Sequence, residues 1–88
     1  MKIKQGFVLR KFQDQWLAIS TDDLPDMQNA LITLNKTGAF VWQQLQQEMS
    51  YETLLQSITD QYDVDAAIAR ADLDRFIRTA REAGLLEE

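Results

Sequence analysis

The chain contains no cysteine and no histidine among its 88 residues. The absence of cysteine excludes disulfide bonds, thiolate nucleophiles and cysteine-ligated zinc sites. The absence of histidine removes the commonest general base and the commonest protein ligand of transition metals. The sequence has no Asp-rich calcium loop either. We therefore expect that the chain is not an enzyme and that it binds neither a metal nor another cofactor.

Basic residues and long apolar segments are also scarce. The chain has 9 Lys and Arg against 14 Asp and Glu, a formal net charge of -5. Because an acidic domain repels the phosphate backbone, we expect no nucleic-acid partner. No apolar segment approaches the roughly 20 residues that span a bilayer, so we expect no membrane association. Residues 1–12 lack the apolar stretch and cleavage site of a secretory signal, which predicts a cytoplasmic protein.

The first third of the chain has the character of β-strands. Its length predicts one domain over residues 1–88, and its hydrophobic content of 45% is typical of a globular domain. Two short apolar runs, at residues 7–12 and 16–20, are separated by a few polar residues and predict a hairpin. Residues 21–29, "TDDLPDMQN", have the composition of a loop. Residues 30–34, "ALITL", form the third predicted strand.

The remaining residues predict three helices, because their apolar side chains recur with helical spacing. Asn35 is expected to cap a first helix that ends near Met49, and Ser50 to cap a second. Asp65 is expected to cap the third helix, and Gly84 to end it. The third helix is expected to bury Ala69, Leu73, Phe76, Ile77 and Ala80.

Three strands followed by three helices predict an α+β fold. One small antiparallel sheet needs a cover on its apolar face, and the helices are the only candidates. The same set of elements describes a winged helix-turn-helix protein, so a DNA-binding regulator is the alternative function. Asp72 and Asp74 on the helix that would read the DNA, together with the negative net charge, count against that alternative.

Gly38 lies in the first turn of the first predicted helix, on the same face as Val41, Trp42 and Leu45. A glycine inside a helix costs about 1 kcal/mol relative to alanine. Its place among large apolar residues indicates that the helix approaches another element closely there.

The third predicted strand is one candidate for a binding surface. A strand at the edge of a sheet can accept an extended peptide as an additional strand. Residues 30–34 contain no Lys, Glu or Pro of the kind that usually blocks an edge. The simpler interpretation, core packing by Leu31 or Ile32, holds for one face of the strand in either case. The candidate backbone is that of Ala30, Leu31, Ile32, Thr33 and Leu34.

One face of the third helix is the second candidate surface. Its members lie beside the buried stripe, within about a third of the helical wheel. They form either a solvated face with ion pairs such as Arg70–Asp74, or an arginine-flanked wall suited to an acidic, amphipathic peptide. The sequence leaves both interpretations open. The residues are Arg70, Asp74, Ile77, Arg78 and Arg81.

Four segments of the chain form a recognisable series: "LNKTGAFVW" at residues 34–42, "YDVD" at 62–65, "DLDRFI" at 72–77 and "AGLL" at 83–86. Together they resemble the PqqD family, named after a small protein of pyrroloquinoline quinone biosynthesis. Their order and spacing are similar to the family's Leu-Asn-x-Thr-Gly-Ala, Tyr-Asp-Val-Asp, Asp-(Val/Leu)-x-x-Phe-(Leu/Ile) and Gly-Leu-Leu landmarks. The resemblance spans nearly the whole chain and is most specific from residue 31 onward.

The resemblance implies a peptide-binding module. Members of the family bind the leader segment of a ribosomally made precursor peptide and present it to a modifying enzyme, often a radical-SAM enzyme. The implied fold is winged-helix-like. The leader is expected to add as a strand to the third predicted strand and to lie against the third helix, where Arg70, Arg78 and Arg81 would pair with its acidic residues.

The sequence does not identify the leader, the modifying enzyme or the modified product. PqqD-like domains serve many peptide pathways, so pyrroloquinoline quinone is only one of the products to consider. A monomer and a homodimer both remain open, because a strand edge or the third helix can be shared between two copies.

Overall fold

Five short strands and three helices make up the described part of the chain. The structure is a computed structural model that describes residues 1–20 and 32–87. In chain order the elements are β1 (Lys2–Ile3), β2 (Phe7–Phe12), β3 (Gln15–Ser20), β4 (Ile32–Leu34), α1 (Lys36–Gln44), α2 (Tyr51–Gln61), α3 (Ala66–Glu82) and β5 (Leu86–Glu87).

The main sheet is antiparallel, with the strand order β2-β3-β4. β2 and β3 form the predicted hairpin, in which Phe7 lies opposite Ser20 and Phe12 opposite Gln15. β4 pairs with β3, with Trp16 opposite Leu34 and Ala18 opposite Ile32. The predicted α+β fold, a three-stranded antiparallel sheet followed by three helices, is confirmed. Ala30 and Leu31, predicted to extend the third strand, lie outside the described residues.

Asn35 starts α1 as predicted, but the predicted end of this helix near Met49 is wrong. The helix ends at Gln44, and Gln46 N–H donates to the Gln43 carbonyl at 3.4 Å rather than to the Trp42 carbonyl, which accepts from Gln46 Nε2 at 3.2 Å. In a continuing helix, Met49 N–H would donate to the Leu45 carbonyl. Instead, Ile3 N–H donates to that carbonyl at 2.9 Å, and Met49 N–H donates to the Met1 carbonyl at 3.0 Å.

The other two helices begin where the sequence predicts. The Ser50 hydroxyl accepts a hydrogen bond from Thr53 N–H at 3.2 Å at the start of α2. Asp65 precedes α3, but its side chain makes no capping hydrogen bond. It contributes only its carbonyl, which accepts from Ala69 N–H at 3.0 Å.

Gly84 ends α3 in the left-handed conformation, with a φ of 75°. Gly84 N–H donates to the Arg81 carbonyl at 3.0 Å, and Leu85 N–H donates to the Ala80 carbonyl at 2.8 Å. These two bonds form a Schellman motif, which satisfies carbonyls of the last helical turn. The motif also turns the chain so that β5 pairs antiparallel with β1, with Ile3 opposite Leu86.

The core lies between the three helices and the sheet. Each helix contributes an apolar stripe, and the sheet and the two short terminal strands close the remaining sides. All five core residues predicted for α3 are buried. The core consists of Ile3, Ala18, Leu34, Val41, Trp42, Leu45, Leu54, Leu55, Ile58, Ala69, Leu73, Phe76, Ile77, Ala80, Leu85 and Leu86.

Candidate peptide-binding groove

A groove of about 230 Å³ runs between β4 and α3. Its strand side is formed by Thr33 and Leu34, and the chain then turns into the first residues of α1. This volume is below the roughly 300–1,000 Å³ of sites that enclose drug-sized molecules. It suits one or two side chains of an extended segment that continues beyond it. The full lining is Thr33, Leu34, Asn35, Gly38, Asp72, Arg75, Phe76 and Thr79.

The strand side of the groove is an edge of the sheet. β4 pairs with β3 on one side only, so among the described residues its other side has no strand partner. The side chain of Leu34 is buried, whereas Thr33 is exposed. Backbone N–H and C=O groups along such an edge can pair with an added strand.

The helix side of the groove combines an apolar floor with two charges. Phe76 is 4% exposed and forms the floor. Asp72 is half-buried and Arg75 is exposed. Within residues 1–20 and 32–87, neither of these two charged side chains makes a hydrogen bond or an ion pair. Both are therefore available to a ligand in the groove.

Gly38 and Asn35 shape the end of the groove where β4 passes into α1. Gly38 N–H donates to Asn35 Oδ1 at 2.7 Å, which caps the helix. A Cβ atom on Gly38 would lie 3.3 Å from the Leu34 Cβ, tighter than most real Cβ contacts. The predicted close approach at Gly38 is therefore present, and it is made to the last residue of the strand.

The structure separates the residues that the sequence suggested for the site into two groups. Thr33 and Leu34 line the groove, and Ile32 is half-buried at the start of β4. Ala30 and Leu31 lie outside the described residues. None of the five α3 residues of the predicted wall lines the groove. Ile77 belongs to the buried stripe, and Arg70, Asp74, Arg78 and Arg81 lie on its opposite margin.

Four of these five α3 residues, all but Arg70, line a second depression of about 360 Å³ beside the start of α2. Its lining includes Tyr51, Asp74, Ile77, Arg78 and Arg81, together with Met1. The Tyr51 hydroxyl donates to Asp74 Oδ1 at 2.6 Å. This bond to a carboxylate raises the pKa of Tyr51, since it favours the protonated phenol. The Arg70 guanidinium lies 5.7 Å from the centre of the Tyr51 ring.

Four groove residues of α3 were not among the residues suggested from the sequence. Asp72, Arg75, Phe76 and Thr79 follow one another at steps of three, one and three, so they share a helical face. Phe76 was assigned to the core, and the other three lie on the margin of the stripe that faces β4. The helical wheel shows both margins, but it does not show which one meets the sheet.

No metal site is found among the described residues. They contain no group of three or more Asp or Glu side chains that could hold an ion. Asp22, Asp23 and Asp26, interpreted as an acidic loop, lie outside the described residues. No helix in the described part of the chain has the length and apolar character to cross a membrane.

The chain matches a known protein family and is similar to a solved structure. Residues 18–86 match the family model described as coenzyme PQQ synthesis protein D, PqqD. The structure of TbiB1 in complex with the TbiA(beta) leader peptide has a TM-score of 0.72 and 24% sequence identity to this chain. The similarity covers 99% of this chain and 95% of the TbiB1 chain, and it supports the same fold. No curated protein matches the chain in sequence.

Proposed function

The chain belongs to the PqqD family, and from this premise we propose that it binds the leader segment of a ribosomally synthesised precursor peptide. The observation that carries the proposal is the edge of β4, which has no partner strand among the described residues and faces α3 across the groove. The similar TbiB1 structure, which holds a leader peptide, supports this reading.

Strand addition explains how one groove can hold a peptide of variable sequence. Main-chain hydrogen bonds to β4 supply affinity that depends little on side chains. Alternate side chains of the peptide point into the groove, because successive residues of a strand face opposite sides. A free leader is disordered, so the ordering entropy lowers the net affinity, and we expect moderate binding.

The wall of α3 is assigned a separate role in this proposal. Arg70, Arg78 and Arg81 lie on the margin away from the groove, so a peptide confined to the groove does not reach them. We propose that they contact acidic leader residues outside the strand-forming segment, around the depression that also contains Asp74 and Ile77.

The chain is proposed to act without catalysis and without a cofactor. It lacks cysteine and histidine, so we propose that a partner enzyme catalyses the modification of the peptide. We propose a peptide-modifying enzyme of the radical-SAM class as that partner, and the cytoplasm as the place of the encounter. The mass of the complex, measured by light scattering, distinguishes a single copy that presents the leader from a homodimer that does so.

DNA binding, the alternative function, has less support. Asp72 and Asp74 place carboxylates on α3, and the net charge of -5 opposes approach to a phosphate backbone. Micromolar, salt-dependent binding to duplex DNA would favour this alternative over the proposed function.

Titration with a precursor leader peptide, followed by amide chemical shifts, tests the proposed function. The amides of residues 32–34 and those around Asp72, Arg75 and Phe76 are expected to shift. A scrambled leader of identical composition is the control and is expected to shift them less at the same concentration, because only its main-chain contacts are retained. If these amides stay unmoved at millimolar leader, the proposed function is wrong.

A further inference from the structure

The charges in the groove point to a specific order of side chains in the bound leader. Asp72 is half-buried and Arg75 exposed, and neither has a side-chain partner in the described part of the chain. A peptide that covers the groove removes water from both side chains. Because a charge that loses water is costly unless it is paired, the peptide binds best when it supplies a cation for Asp72 and an anion for Arg75.

An exposed apolar residue extends this face of α3 towards its N-terminal end. Ile68 is 53% exposed and lies one turn before Asp72, at the i, i+4 spacing that places both on one side of the helix. From Ile68 to Phe76 the helix rises about 12 Å at 1.5 Å per residue. The order along the helix is therefore an apolar surface, a carboxylate, and then a guanidinium beside an aromatic floor.

An extended peptide matches these distances at every second residue. Alternate residues of a strand are about 6.6 Å apart and share one face. The helix rises about 6 Å from Ile68 to Asp72, and about the same distance from Asp72 to Phe76. If the peptide runs along α3, its side chains at positions n, n+2 and n+4 therefore have the spacing to reach Ile68, Asp72 and the Arg75–Phe76 pair in turn.

We infer that the groove selects a leader segment in which an apolar residue, a basic residue and a glutamate occupy alternate positions, with the basic residue in the middle. The apolar side chain covers Ile68 and the basic side chain pairs with Asp72. The methylene groups of the glutamate cover the ring of Phe76 while its carboxylate reaches Arg75. This inference rests on the proposed function, because it concerns the chemistry of the same groove.

Four synthetic peptides with one composition test the order. The first pair contains Leu-Thr-Lys-Thr-Glu or its reverse, with lysine in the middle position. The second pair contains Leu-Thr-Glu-Thr-Lys or its reverse, with glutamate in the middle position. Both directions are included because the peptide can run either way along β4. One peptide of the first pair is expected to bind at least threefold more tightly than both peptides of the second. Equal net charge excludes a general electrostatic cause.

The double substitution D72R/R75D keeps the net charge and exchanges the two groups of the groove. It is expected to reverse the preference, so that a peptide of the second pair binds more tightly. If the exchanged variant fails to fold, Asp72→Asn and Arg75→Gln replace it as the test, because they keep the approximate size of each side chain. Each is expected to reduce the preference.

The outcomes separate this inference from the proposed function. Equal affinity of the wild-type protein for all four peptides, or a preference unchanged in the variants, overturns the inference. Binding of a precursor leader but of none of the four peptides also overturns it and leaves the proposed function standing. If the precursor leader does not bind either, the proposed function itself is wrong.

Discussion

The backbone N–H of Gly38 donates to Asn35 Oδ1 at 2.7 Å, and a Cβ atom on Gly38 would lie 3.2 Å from that same oxygen. The same oxygen therefore caps α1 and limits the size of the side chain at position 38. Leu34, the last residue of β4, closes the other side of the same space. The end of the strand, the helix cap and the glycine form one packed unit at the end of the groove.

Gly38→Val is expected to destabilise the protein by about 1–3 kcal/mol, because the added methyl groups meet the side chains of Asn35 and Leu34. The midpoint of urea denaturation measures the change. Gln43→Val, at an exposed position of the same helix, is the control for the low helix propensity of valine. An unchanged midpoint for Gly38→Val would contradict the close approach.

Asn35→Ala is expected to lower the free energy of unfolding by about 1 kcal/mol, because the cap of α1 loses its hydrogen bond. Asp65→Ala provides a matched comparison, since the Asp65 side chain precedes α3 but makes no capping bond. Its effect is expected to be smaller. Equal losses for the two substitutions, measured by thermal denaturation, would show that the capping bond of Asn35 contributes little.

Tyr51→Phe is expected to cost about 0.5 kcal/mol at neutral pH, since the lost hydrogen bond to Asp74 is exposed and screened by solvent. The bond raises the pKa of Tyr51 in the folded protein. Its contribution is therefore fully present below the ordinary tyrosine pKa, about 10, and is lost as the pH rises through the folded-state value.

Urea denaturation of wild type and Tyr51→Phe at neutral and strongly alkaline pH measures this dependence. The difference between the two proteins is expected to shrink at alkaline pH. Tyr62→Phe serves as the control, because the ring keeps its edge contact with Phe40 at 5.6 Å between centres. A difference between wild type and Tyr51→Phe that stays constant with pH would argue against the role of the bond.

Charge reversal at Arg78 is expected to distinguish a complete leader from its groove-binding segment. If the α3 wall contacts leader residues outside the groove, Arg78→Glu lowers the affinity for the complete leader by about two- to fivefold, which is the range of an exposed ion pair. A peptide truncated to the groove segment is expected to keep its affinity. Arg75→Glu, within the groove, is expected to lower the affinity for both peptides. Isothermal titration provides the affinities, and equal loss for both peptides with Arg78→Glu would contradict the division.

The elements with strong local signals were predictable from the sequence. Asn35 and Ser50 have side chains suited to capping, and Gly84 permits the left-handed conformation that ends α3. The periodicity of α3 identified its buried stripe. The end of α1 was not predicted from local signals, and the bonds beyond it, from Ile3 N–H to Leu45 and from Met49 N–H to Met1, join parts of the chain that are far apart in sequence. β1 and β5, with two residues each, are too short to show any periodicity.

The candidate site was predictable only in part. The sequence offered residues 30–34 as an open strand edge, and β4 pairs on one side only among the described residues. The side of α3 that meets β4 was not predicted, because the buried stripe has two charged margins. One carries Asp72 and Arg75 and meets β4, and the other carries Asp74 and Arg78 and meets Tyr51. Which margin faces the sheet depends on how the helices pack together, and the wheel contains no information about that.

The pairing of β1 with β5 has a consequence for the order of folding. Ile3 and Leu86 are neighbours in this ladder although nearly the whole chain separates them. Closing so long a loop costs entropy that two short strands do not offset alone. We therefore expect the ladder to form late, after helix packing has brought its two strands together. Pulse-labelling hydrogen exchange during refolding, read at the amides of residues 3 and 4, would accordingly report this final step. These amides become protected when they donate to the carbonyls of Leu45 and Leu85.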